Sequence, residues 1–199
     1  ADNSLSNAEL ENNIAYIAAD PAIDEVILSG GDPLMAKDSK LAALAEKIAA
    51  IPHVKRLRIH TRLPVVMPSR LDASFYRWFA GLPVQRVLVL HINHANEVSA
   101  ELTEKLAPLR QAGVTVLNQA VLLKGVNDTA DTQAQLNEKV FAAGIMPYYL
   151  HLLDKVQGAT HFDIDVEQAR KIMAGVIKRL PGFMVPKLVT EIGGQPGKT

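Results

Sequence analysis

The chain has 199 residues, 48% of them apolar and 21% charged, with 21 lysines and arginines against 21 aspartates and glutamates. That length suits one domain and that apolar fraction excludes disorder. The neutral balance argues against a nucleic-acid or acidic-membrane surface, and the lack of any cysteine excludes a disulfide framework, a thiol nucleophile and a thiolate metal site within these residues.

No apolar run approaches the roughly 20 residues of a membrane-spanning helix. The polar opening up to Asn13 does not read as a signal peptide, so a soluble cytoplasmic protein is expected. A helix is expected over Asn7–Ala19, with Asn7 as its cap. Next comes a β-branched run, Glu25–Ser29, ending in Ser29-Gly30-Gly31-Asp32-Pro33. Helices at Ser39–Ala50, Asp72–Phe79, Ser99–Ala112 and Thr132–Ala143 then alternate with apolar runs at Arg56–His60, Arg86–His91, Thr115–Leu122 and Met146–Leu152. Gly113 and Gly144 sit where helix ends use a left-handed residue. A last helix is expected over Asp165–Leu180, and a final strand-like run precedes Gly193.

Strands alternating with helices predict an α/β fold with a parallel sheet buried on both faces. Polar residues gather at nearly every strand end: Ser29 to Asp32, His60-Thr61-Arg62, His91 to His94, Asn118-Gln119, and His151 with Asp154. A (β/α) barrel converges its strand ends on one mouth, whereas an open doubly wound sheet concentrates its site at one switch point. The pattern favours a partial barrel forming a single domain over residues 1–199.

Within it, the two glycines let backbone approach a ligand, and Asp32 suits an ammonium or a helix cap. His91 and His94 lie three apart without a carboxylate at fixed spacing, so no metal site is assigned. Gln119 is an amide inside an otherwise apolar run and needs a partner. Asp154 and Glu191 are carboxylates suited to an amine. Gly193 to Thr199 (GGQPGKT) falls one residue short of the phosphate-loop spacing, but presents Lys198 as a candidate Schiff-base lysine.

Taken together, the segments LSGGDPL (28–34), IPHVKRLRIHTRLPVVMP (51–68), HINHANE (91–97), NQAVLLKGVND (118–128), MPYYLHLLDKVQ (146–157) and VPKLVTEIGGQPGKT (185–199) resemble the lysine 2,3-aminomutase family of radical S-adenosylmethionine (SAM) enzymes. The resemblance runs from Asp24 onward and is nearest to the branch that supplies β-lysine to elongation factor P (EF-P). It implies a partial (β/α)₆ barrel of the radical SAM type, here without its first strand and cluster loop. It also implies a [4Fe–4S] cluster, SAM and pyridoxal phosphate (PLP). The implied reaction turns L-lysine into (R)-β-lysine: a 5′-deoxyadenosyl radical takes hydrogen from Cβ, and PLP carries the migrating nitrogen as an imine.

Position by position, Lys198 matches the PLP lysine, with 185–199 as its segment. Ser29, Gly30, Gly31 and Asp32 match the loop that receives the methionyl part of SAM, and His91 and Gln119 match positions lining the SAM and PLP pocket. Asp154 and Glu191 match carboxylates for the substrate ε-ammonium, Glu191 standing where Asp is usual. The family's CxxxCxxC motif has no counterpart here, so the residues are read as the C-terminal two-thirds of a longer enzyme, inactive alone. The implied partners are lysine and, functionally, EF-P with its lysyl ligase; oligomeric state is left open. Two competing readings are a Schiff-base aldolase-like barrel using Lys198 without SAM, and a binding module that has lost its cluster.

Overall fold

The computed structural model describes residues 7–153 and 162–190. Six strands form one parallel sheet in the order β1 to β6: β1 (Glu25–Leu28), β2 (Arg56–Thr61), β3 (Gln85–Leu90), β4 (Thr115–Val121), β5 (Met146–His151) and β6 (Lys187–Val189). The helices are α1 (Asn7–Ala19), α2 (Asp38–Ala49), the short α3 (Leu63–Val66) and α4 (Ala73–Phe75), then α5 (Ala100–Gln111), α6 (Ala130–Ala142) and α7 (Val166–Ile177). Strands paired strictly in chain order, with no reversal, give the partial-barrel topology rather than the doubly wound one. Among the described residues β1 and β6 are the two edges.

Alternation along the strands assigns the faces. On β2, Leu57 and Ile59 are fully buried against the helices, while Arg58 and His60 point to the concave side. Register carries that face across to Val87 and Val89 on β3, Leu117 and Gln119 on β4, and Tyr149 and His151 on β5. The sheet curls far enough that the Arg58 guanidinium on β2 lies beside Tyr148 on β5, three strands away. Between the sheet and its helices, Leu88, Leu90, Leu102, Leu106, Val140 and Leu150 are wholly buried. Each such side chain contributes about 1.5–3 kcal/mol.

Two local departures from simple periodicity have visible causes. The helix expected over Asp72–Phe79 is one turn of α4 followed by a wider π turn at Tyr76–Ala80. Phe75, Trp78 and Phe79 pack against one another there, with centroids 5.2–5.4 Å apart, and the Trp78 indole N–H donates to Asp38 at 2.9 Å. In the β4–β5 pairing the register slips between Asn118 and Gln119 of β4, leaving Tyr148 of β5 as the extra residue. Pro147 has no N–H to give the ladder, which is why the bulge falls there. It also lets Tyr148 and Tyr149 stack, centroids 3.8 Å apart.

Candidate active site

At the C-terminal end of β1 the chain turns through Gly30 and Gly31 at φ +87° and +58°. A side chain there would be strained, yet among the described residues no atom lies within 4 Å of a Cβ built on either glycine. The backbone is held open toward the mouth. Asp32 closes this loop. Its Oδ1 accepts from Leu34 N–H at 3.1 Å and Thr61 O–H at 2.6 Å; its Oδ2 accepts from Arg62 and Leu63 N–H at 2.7 and 2.8 Å. The carboxylate is therefore committed to protein donors: of the two roles open to Asp32, the structure shows the cap.

The neighbouring strand ends are fastened in the same way. Arg62 donates to the His91 carbonyl at 3.1 Å and to Glu97 Oε2 at 2.5 Å. Glu97 Oε1 accepts from Asn93 and His94 N–H at 2.8 and 2.9 Å. His94 Nδ1 accepts from Asn96 N–H, so this histidine caps its own turn. Farther round, Asn118 accepts from Ile92 N–H and donates to Ile92 C=O, both at 3.0 Å, which prolongs the β3–β4 ladder past Leu90. Asn127 accepts from Leu123 N–H at 2.7 Å and donates to the carbonyls of Asn93 and Val121.

With those polar groups accounted for, the concave face at the mouth carries His60, His91, Gln119, Tyr149 and His151. His60 meets His91 edge-on, 5.8 Å between centroids, and Tyr149 meets His151 similarly at 5.7 Å. Gln119 Oε1 is buried with no hydrogen-bond partner among the described residues. A buried amide oxygen left so is costly unless something else donates to it. The open glycine loop and this carbonyl give a ligand with amine or hydroxyl donors a place to bind. Lower in the barrel, Arg58 pairs with Glu25 at 3.0 Å. Burial, together with Tyr149, pushes the Tyr148 hydroxyl above its usual range, and Arg58 opposes that.

The structure brings Ser29, Gly30, Gly31, Asp32, His91 and Gln119 to one mouth. Asp154, Glu191 and Lys198 lie outside the described residues. His60 and His151 were placed among the polar strand ends of the mouth without a role, whereas Tyr149 was missed: it faces inward because of a bulge that a period of two does not foresee. At the opposite end an open hollow of about 890 Å³ is lined by strand starts including Lys55, Gln85 and Arg86. There the Arg86 guanidinium donates to the carbonyls of Ala80, Leu82 and Ala112. It staples the floor of a barrel whose chemistry belongs at the other end.

No protein-family model matches the chain. It is 52% identical over its whole length to the L-lysine 2,3-aminomutase of Escherichia coli, of which it covers 58%. To the Haemophilus influenzae protein of that name it is 53% identical over 92% of this chain and 54% of the relative. For Clostridium subterminale the figures are 36%, 100% and 48%. By sequence, this chain is similar over its whole length to proteins named L-lysine 2,3-aminomutase. It spans a little over half the length of the first of these aminomutases. Among solved structures it superposes on Streptococcus suis SuiB bound to S-adenosylmethionine (TM-score 0.63, 16% identity, 96% of this chain and 45% of that one). It also superposes on a radical SAM methyltransferase from Sphaerobacter thermophilus (0.60, 17%, 94% and 55%). The chain thus shares the α/β fold of these two proteins, as a partial barrel.

Proposed function

We propose that the full-length protein is a radical SAM aminomutase that converts L-lysine to (R)-β-lysine and supplies it for EF-P modification in the cytoplasm. The identity of 52% along the entire chain to a protein named L-lysine 2,3-aminomutase carries this reading. The EF-P branch is favoured by the form of residues 193–199. When bound, SAM supplies a radical that takes a hydrogen atom and PLP supplies a carbonyl partner for the migrating nitrogen.

The described residues fit SAM: an open glycine loop and an orphaned buried amide oxygen face one mouth. In this reading Ser29, Gly30 and Gly31 offer backbone groups to the methionyl end, Asp32 holds that loop in place, and Gln119 and His91 line the far wall. Val87, Val89 and Leu117 on the same concave face keep water from the space below. Lys198 would hold PLP, and Asp154 with Glu191 would fix the substrate ε-ammonium, so that Cβ is presented in one orientation. The [4Fe–4S] cluster does not fit this chain, which has no cysteine to offer it. Its ligands are assigned to the part of the relatives' length that this chain does not span.

The test uses the full-length protein with SAM, PLP, a reductant and lysine, reading β-lysine formation. Asp154→Asn should lower kcat/KM for lysine by about 30-fold or more, because a buried ammonium loses its partner. Norleucine, without that ammonium, should change much less. Equal losses on both substrates would make Asp154 structural, and carbonyl turnover by Lys198 without SAM would replace the reading with the aldolase one.

A further inference from the structure

We propose that Arg62 is a positioning residue that makes the Ser29–Asp32 loop and the 91–97 loop move as one unit, so that the two walls of the SAM pocket are set together. The inference rests on the reading above for its ligand, but not for its geometry.

Arg62 is the residue at which two separate clamps meet. Its backbone N–H, with that of Leu63, is held by Asp32 Oδ2 at 2.7 and 2.8 Å, which ties it to the β1 loop. Its side chain forks the other way. One guanidinium nitrogen donates to the carbonyl of His91, a mouth residue, and the second reaches Glu97 Oε2. Glu97 in turn holds Asn93 and His94 through its other oxygen. A planar fork fixes direction as well as distance, which a lysine ammonium does not. Displacing the β1 loop therefore moves the Arg62 backbone, and the fork passes that movement to His91 and Glu97. The Arg62 side chain is 45% exposed and Glu97 22%, so the pair is worth little to global stability. Its consequence lies in coupling.

The decisive measurement is residue-resolved amide hydrogen exchange on the full-length protein without ligand. Glu97→Gln weakens the grip on Asn93 and His94 directly. If Arg62 couples the loops, exchange at Leu34 and Leu63, on Asp32's side, should also accelerate about tenfold. That remote effect should vanish in an Arg62→Met background, with the melting temperature of Arg62→Met close to that of the parent. Exchange changes confined to Asn93 and His94 in Glu97→Gln would overturn the proposal. So would a remote effect that persists in Arg62→Met. A calorimetric titration with SAM separates the two readings: Arg62→Met should weaken SAM about tenfold. Unchanged SAM affinity overturns the pocket-setting role, whereas a parent protein that binds no SAM sinks the functional reading and leaves the exchange result standing.

Discussion

The two sides of the mouth are fastened by different chemistry. From β1 to β3 the strand ends are joined by charged groups: Asp32, the Arg62–Glu97 pair, and Arg70, which donates to the Leu34 carbonyl at 2.8 Å and pairs with Asp38 at 2.7 Å. From β3 to β4 and α6 they are joined by neutral amides: Asn93, Asn118, Asn127 and Gln133. Asn118, Asn127 and Gln133 are 0–2% exposed. An amide offers both a donor and an acceptor and needs no counter-charge, so it suits the dry seam between the strands and α6. Carboxylates suit the wetter side, where one oxygen pair gathers several backbone N–H groups around an open glycine turn. The difference teaches that hydrogen-bond count alone does not rank these clamps; burial does.

The largest effect should follow from breaking the amide side. Asn127→Ala strands the Leu123 N–H and removes the donor from two carbonyls, around a side chain that is itself fully buried. Several unmade buried bonds cost about 3–5 kcal/mol together, read as a fall in the denaturant midpoint at unchanged slope. Arg62→Met removes two side-chain bonds from the wetter side and should cost under about 1 kcal/mol. Equal losses would erase the distinction between the two sides.

Next in size is the glycine turn. Gly31→Val places a β-branched residue at φ +58°, which costs about 1–2 kcal/mol of strain. Gly113→Val at φ +78°, near the floor, should cost a similar amount, since its Cβ meets only Arg86 Nη2 at 3.7 Å. The two differ in what occupies the space ahead of them. Only the Gly31 variant should lose SAM in a calorimetric titration, because its Cβ enters the open mouth. If both variants bind SAM equally well, the open space at Gly31 is not the ligand's.

Most of the fold was legible because burial imposes periodicity. The five longer strands and α1, α2, α5, α6 and α7 lie within a few residues of the pattern, and Gly113 and Gly144 do turn left-handed, both at φ +78°. The start of α6 was set at Thr132, but the cap is Thr129, whose hydroxyl accepts from Thr132 N–H; a cap carries no apolar period. Polar clustering at strand ends pointed to the mouth, yet did not say which groups face a ligand. Asp32 and Asn118, named among the polar strand ends, hold backbone through partners 26–31 positions away in sequence, which leave no local trace. Tyr149 escaped notice for the converse reason: facing is set by register, and register on β5 includes a bulge.

The smallest effect separates the two sides by pH. Asp38 is 16% exposed and Arg70 12%. Burial alone would raise the Asp38 pKa. Hydrogen bonds from Arg70 and the Trp78 indole, with the charge of Arg70, outweigh it and hold the carboxyl below its ordinary value of 3.8. A carboxylate whose folded pKa is depressed binds its proton more readily in the unfolded chain. Its contribution is therefore full above that ordinary value and is lost as pH falls below it, through the lowered folded value. Asp38→Asn should cost about 1 kcal/mol at neutral pH, since Arg70 keeps its bonds to the Leu34 and Ala36 carbonyls. The loss relative to the parent should shrink steadily as pH drops below about 4, in urea titrations at each pH. The deficit of Asn127→Ala should show no such trend, because no charge is involved in its seam. A constant deficit for Asp38→Asn down to low pH would mean that its bonds, rather than its charge, hold the segment between β1 and α2, and the charged side of the mouth would then behave like the neutral one.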